Sequence, residues 1–255
     1  LTDAQADTVE ILLEQLYRER GITKETDMSV LRHEDFPLLC ELYALLERQA
    51  GGSGVFTDET LRELRLHLHS LCVGPDSLYF NGHTNIGSGR FVTFGVKSLL
   101  EAGQNLRDAM LFNIFSYMNN ELLCAGNTVA AIDELYLYLN NKTAIGYIRA
   151  CMKRARKKES SLLLASQNVE DFLLPEAAEL TKPLFSIPAY QFLFHPGTVD
   201  GGKYREALQL EECEYGVVRS CARGNSLFKC GDERYNLLVK TPPHKLRCYG
   251  TAGGR

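Results

Sequence analysis

Apolar positions in the first seventy residues recur every three to four places, and none of them alternates as a strand would. Thr2 and Gln5 stand three apart ahead of Val9, Leu12, Leu13 and Leu16, a capping-box start followed by one apolar helical face that runs to Gly21. Pro37 suits a first helical position, so a second helix is expected from there through Leu46, ended by the glycine-rich run 51–54. Thr57 opens a third helix through about Leu71, and Gly74-Pro75 marks the exit. Residues 1–75 thus read as an all-helical subdomain.

The rhythm changes after residue 76. Residues 90–96 (RFVTFGV) form a β-rich run, followed by a long helical stretch over 98–123. A short apolar run at 128–132, a helix over 143–158 and a second apolar run at 161–166 come next, and a third apolar run covers 189–194. Strands that alternate with helices of this length predict crossover units and a mostly parallel sheet. The closing runs 226–230 and 234–240, separated by Gly231-Asp232, read as an antiparallel hairpin. The expected fold class is therefore α/β over 76–255, with no internal repeat.

Composition narrows the function classes. The 255 residues are 45% hydrophobic and 24% charged, which excludes a disordered or low-complexity chain. With 28 basic and 32 acidic residues the net charge is -4, so a dedicated nucleic-acid coat is excluded, although a local basic patch is not. No run of 18 apolar residues and no signal peptide are present. The eight cysteines (40, 72, 124, 151, 213, 221, 230 and 248) contain no CxxC pair, and Cys40, Cys72, Cys124 and Cys151 sit in apolar helical stretches. Reduced thiols and a cytosolic compartment are expected.

The sharpest chemical feature is Ala130-Ala131-Ile132-Asp133-Glu134, an apolar strand that stops at two acids. An Asp at the carboxyl end of a parallel strand points into the ligand crevice and can hold the water shell of Mg²⁺. The adjacent Glu can orient and deprotonate an attacking water. The plainer alternative on this pattern alone is two acids that cap a loop. A second feature is the basic run 153–158, which ends a helix just before the strand 161–166 and Gln167. Lys153, Lys157 and Lys158 suit a solvated helix C-terminus. Arg154 or Arg156 has the guanidinium fork to reach a phosphate on a neighbouring subunit. Gln167 can sense a γ-phosphate or position water, or it can simply cap a loop.

His67 and His69 fall on different helical faces and make no metal pair, and His195-Pro196-Gly197 reads as a turn. Phe112, Phe115, Tyr117, Tyr136 and Tyr138 suit a core or a subunit interface better than a base-stacking platform. Arg223 and Arg234 flank the closing hairpin, where solvent exposure is expected and a partner subunit is the alternative neighbour.

Four segments together, AAIDELYLYL, MKRARKKESSLLLASQNVEDFL, LTKPLFSIPAYQFLF and RGNSLFKCGDERYNLLV, resemble the C-terminal half of the conjugative-transfer and type IV secretion ATPases, the VirB/TraC-like branch of the FtsK–HerA ring motors. The resemblance runs from about residue 90 to 254, and the helical segment before it is similar to an insertion in that family. It implies a RecA-like P-loop core that uses ATP and Mg²⁺ to drive pilus biogenesis or the movement of protein or DNA. Asp133 and Glu134 match the second acidic motif and Gln167 the sensor after the next strand. Arg156 matches the arginine that acts in trans, with Arg154 the nearby alternative. The implied partners are further copies in a ring, a hexamer as in the family, and other secretion subunits at the cytoplasmic face of a membrane; the charge gives no indication of DNA.

One departure stands against these matches: the phosphate loop GxxxxGK[ST] is absent. Residues 82–89 carry glycines five apart without Lys-Ser or Lys-Thr, and Gly201-Gly202-Lys203 is followed by Tyr204. A chain without that cradle of amides and Lys is not expected to bind ATP tightly by itself. The family places the loop upstream of its helical insertion. With Leu at position 1 and the first Met at 28, this chain is expected to be a piece of a longer protein. The other reading is a degenerate, non-hydrolytic module that binds partner subunits.

Overall fold

The structure is a computed structural model that describes residues 1–255 apart from 50–55, 88, 140, 168, 221, 223 and 250–255, and the backbone alone at 175–177 and 249. The helix-ending glycines 51–54, Cys221 and Arg223 fall outside the described residues. The chain divides into two compact units, Leu1–Leu106 and Arg107–Arg255.

The first unit is built on helices α1 (Asp3–Glu19), α2 (Leu39–Gln49) and α3 (Asp58–Cys72). The capping box forms as its spacing demands: the Gln5 amide N–H donates to Thr2 Oγ1 at 3.3 Å and the Thr2 N–H to Gln5 Oε1 at 2.9 Å. Leu12, Leu16, Leu42, Leu45, Leu46, Leu61 and Leu64 interlock as the core, with Val9 and Leu13 packed against them. α2 starts two residues after the proline suggests. The Leu38 N–H donates to the Glu41 carboxylate at 2.7 Å, so an acid in the first turn sets this start and Pro37 stays outside. Thr57 caps α3 as expected, accepting from the Thr60 N–H at 3.3 Å. Thr57→Ala is expected to cost about 1 kcal/mol of unfolding free energy in urea melts, the usual loss for a missing N-cap. At the exit, a Cβ on Gly74 would lie 2.8 Å from Ser70 Cα, so only glycine permits the turn there.

Residues 90–96 form no strand, against the local β propensity. Phe91 is 90% exposed and no described strand lies beside the run to hydrogen-bond with it, without which extended residues do not persist. The helix expected over 98–123 is interrupted near Gly103 into α4 (Lys97–Leu100) and α5 (Gln104–Asn120), and α5 spans the division between the units.

In the second unit a π-type turn, Glu121–Ala125, leads through Gly126 (φ +76°) into β1 (Val129–Ile132). A crossover through α6 (Lys142–Arg154) and a 3-10 turn (Ala155–Lys158) returns the chain as β2 (Ser161–Leu164), parallel to β1 with Val129 opposite Ser161 and Ile132 opposite Leu164. Leu122, Leu123, Cys151 and Ala155 cover one face of this pair, packing on Ala130 and Leu162. On the other face Val129 and Leu163 are exposed.

Helix α7 (Pro175–Ser186) precedes β3 (Tyr190–Leu193); α8 (Gly201–Leu208) and α9 (Glu212–Ser220) precede β4 (Asn225–Cys230), β5 (Glu233–Leu238) and α10 (Pro243–Tyr249). The β4–β5 hairpin turns at Gly231-Asp232 as its sequence predicts. A mostly parallel sheet is not what forms, however. Among the described residues the parallel ladder is confined to β1 and β2, and β3 joins β4 antiparallel in a separate sheet of order β3-β4-β5. Burial decides the pairing: Leu193 lies opposite Leu227, and both pack into the cluster of Tyr204, Leu208, Leu210 and Val218.

Candidate functional site

The parallel register of β1 and β2 brings the two carboxyl ends side by side, and both chains leave there together. Ala165 N–H donates to Ile132 O at 2.9 Å, and Leu135 N–H donates to Ala165 O at 2.9 Å. Between those tethers the backbone of Glu134 takes a left-handed conformation (φ +50°, ψ +49°), which costs a non-glycine residue about 1–2 kcal/mol. The turn lifts the Glu134 side chain toward the end of β2. There Gln167 Nε2 donates to Glu134 Oε1, joining the two strand ends through their side chains.

Asp133 Oδ1 accepts the Glu134 N–H at 2.9 Å, while its side chain remains exposed. Glu134 Oε2 is buried and has no hydrogen-bond partner among the described residues. A buried carboxylate oxygen without a donor is costly in a finished protein and is found where a ligand or water completes the site. Tyr138 packs edge-on against Phe115 at 5.6 Å beneath this turn, its hydroxyl pKa pushed up by burial and then by the charge of Asp133. The sequence marks Tyr138 as core or interface, and its place beside the acids follows from the 3-10 turn Leu135–Tyr138 that Glu134 initiates.

Asp133, Glu134 and Gln167 therefore come together, whereas Arg154 and Arg156 lie elsewhere. Both arginines are exposed and precede the amino end of β2, so the length of the strand, roughly 13 Å for four residues, separates them from the acids. Lys158 O accepts the Asn127 N–H at 2.9 Å, which pins this basic turn beside the start of β1. Arg234, expected in solvent, is instead paired with Glu214 (Nε to Oε1 3.1 Å). Cys124, expected to be a core thiol, is exposed on the π-type turn, while Cys72 and Cys151 are buried. Among the described residues no group of His, Cys, Asp and Glu is arranged as a metal cluster. No described helix is long and apolar enough to cross a membrane.

No family model matches the sequence. A curated relative, a probable conjugal transfer protein TrbE of Sinorhizobium fredii (strain NBRC 101917 / NGR234), is 28% identical over 113 residues, which is 44% of this chain and 17% of that protein. The solved structure of VirB4 of Thermoanaerobacter pseudethanolicus superposes with a TM-score of 0.81 at 30% identity, over 97% of this chain and 66% of that one. The chain belongs to the conjugative-transfer and type IV secretion family of VirB4 and TrbE. It spans less than two thirds of the length of either relative. At 97% of the chain, the VirB4 match extends over both units.

Proposed function

We infer that this VirB4/TrbE-family chain supplies the acidic half of an ATP-hydrolysing site in a conjugation or secretion motor, in which an all-helical segment, 1–75, precedes a RecA-like catalytic segment, 76–255. The observation that carries the reading is the Glu134–Gln167 hydrogen bond between the carboxyl ends of adjacent parallel strands. In this reading Glu134 takes the proton of the attacking water and Gln167 reports the γ-phosphate. Carboxylate oxygens suit a hard divalent cation, and the exposed Asp133 carboxylate would hold Mg²⁺ through water. Bound there, Mg²⁺ would offset phosphate charge. The triphosphate itself does not fit this chain alone, because no GxxxxGK[ST] run offers amides and a Lys to cradle it.

Arg156, or Arg154 beside it, is the residue for a transition-state contact on the next copy. Its exposure, at the end of the strands away from Glu134, suits an action in trans within a ring, a hexamer by family likeness. The working place is the cytoplasmic side of a membrane complex, with other machinery subunits as partners. The transported substrate is a pilus component or other protein, and DNA is the alternative cargo. The likeness to a conjugal transfer protein and to VirB4 supports a part in conjugation or secretion, and the meeting of Glu134 with Gln167 supports the motor over a non-hydrolytic module.

Calorimetry with Mg·ATP separates the two. The expected outcome is no measurable binding by residues 1–255 and clear binding by a protein extended upstream to include a phosphate loop. Absence of binding in both would leave the partner-binding module as the function.

A further inference from the structure

Two observations place Cys40 beside Cys72, on separate helices of the first unit. The first is the register of α2 on α3, consecutive helices that share one core. Tyr43 meets His69 edge-on, with ring centroids 6.1 Å apart. Cys40 stands three residues before Tyr43, and Cys72 three residues after His69. A step of three residues stays on one helical face. Consecutive helices joined by a short loop run antiparallel, so both steps lead the same way in space and bring the two thiols level.

The second observation is a clamp that the two cysteines share. Cys40 N–H donates to Asn81 Oδ1 at 3.0 Å, and Asn81 Nδ2 donates to Cys72 O. One amide thus serves an N–H at the start of α2 and a carbonyl at the end of α3, groups that helix ends leave unpaired. The amide with its two hydrogen bonds spans roughly 8 Å at most. Two cysteines can be bridged when their Cα atoms lie within about 7 Å, and a clamp of this width sets them near that range. The thiols also feel each other: burial pushes Cys72 up to about 11, and the charge of Cys40 acts in the same direction. Cys151 and Cys213, by contrast, donate their S–H to oxygens, Asn119 Oδ1 at 3.6 Å and Glu211 Oε2 at 3.7 Å.

We propose that Cys40 and Cys72 are a site of reversible oxidation, closed to a disulfide by a small-molecule disulfide such as oxidised glutathione and reopened by thiols. Cys40 is half-buried and Cys72 fully buried, so the oxidant meets Cys40 first. Cys40 gives its proton to water, and its thiolate attacks one glutathione sulfur. The glutathione S–S bond breaks and the other half leaves as a thiolate. Cys72 then gives up its proton and attacks the Cys40 sulfur of the mixed disulfide, and the second glutathione thiolate leaves. The two leaving thiolates take up the two protons. Two cysteines have lost two electrons, and one glutathione disulfide has gained them. With its high pKa, Cys72 carries little thiolate at neutral pH, so it resolves the mixed disulfide and does not start the reaction. The bond fastens the start of α2 to the end of α3, where Asn81 already holds them. The inference does not rest on the nucleotide reading and is tested without nucleotide.

The test is equilibration of the whole 255-residue chain with oxidised and reduced glutathione, an acid quench, and tryptic mapping without reductant. Cleavage after Arg32, Arg48, Arg65 and Arg90 leaves each cysteine alone in its peptide, Cys40 in 33–48 and Cys72 in 66–90. The expected result is a linked pair of these peptides, about 2 Da lighter than the two reduced peptides together. It should exceed every other cysteine pair by about tenfold or more, since thiols held side by side react at a high effective concentration. Dithiothreitol should restore both thiols. Cys40→Ser should leave Cys72 reduced, in a chain whose circular dichroism is unchanged. The proposal is overturned if Cys40 stops at the mixed disulfide with glutathione. It is equally overturned if both thiols stay reduced while the exposed Cys124, Cys213 and Cys248 are modified, or if the linked pair forms as readily in the chain unfolded in urea.

Discussion

Glu134→Gln is expected to abolish ATP turnover, by about 10² or more, while leaving Mg·ATP binding intact, in a protein that includes a phosphate loop. The size follows from the removal of a positioned general base, worth about 10²–10⁴ in rate. Gln keeps the shape of the side chain but has no lone pair basic enough to take a proton from water. The change is also structurally mild: Glu134 Oε1 accepts from Gln167 Nε2, and a Gln at 134 can still offer its carbonyl oxygen there. The left-handed turn is held by the Leu135 N–H to Ala165 O bond, which involves no side chain. Loss of turnover with binding and melting temperature unchanged would place the chemistry on Glu134. Unchanged turnover would remove it from that role and return Asp133 and Glu134 to the caps of a loop.

The site was legible in the sequence to the extent that it is local. Two acids that end an apolar run, and a polar residue that ends the next such run, need only a parallel pairing to become neighbours, and the crossover through α6 supplies it. The left-handed Glu134 and the tether to Ala165 left no mark in composition or period, because Glu is not a residue that announces positive φ. Arg154 and Arg156 were visible as a basic helix end, and their separation from the acids follows from chain order once the strand between them is fixed.

Legibility in the fold has the same limit. The Thr2–Gln5 box and the Thr57 cap are contacts over three residues and form where the pattern puts them. The start of α2 depends on a choice between Pro37 and the reach of Glu41, two local signals, and the carboxylate prevails. Residues 90–96 and β3 fail in opposite ways for one reason, since a strand is completed by distant partners. Phe91 finds none, and Tyr190–Leu193 finds β4 rather than β2 because Leu193 and Leu227 bury together.

The unequal cover on the two faces of the β1–β2 pair leads to the second large effect. Leu122→Ala is expected to destabilise the second unit by about 2–5 kcal/mol, since a fully buried leucine loses both its transfer free energy and its fit to the cavity left behind. Leu123 shares its π-type turn while Cys151 and Ala155 come from the end of α6 and the 3-10 turn after it, and the tethers at Gly126 and Lys158 pin these segments, so the site collapses little and the upper end of that range applies. Leu163→Ala is expected to cost less than about 0.5 kcal/mol, as for a surface substitution, because Leu163 is 59% exposed on the opposite face. The two variants remove the same atoms from opposite faces of the β1–β2 pair, and urea melts of each read the difference directly. Parallel strands are ordinarily covered on both faces, so a Leu163→Ala loss as large as that of Leu122→Ala would show that its face is covered in solution. Wide separation of the two values would show that the covered face alone holds β1 and β2 in register. The ends of those strands, where Glu134 meets Gln167, would then depend on the Leu122 cluster for their alignment.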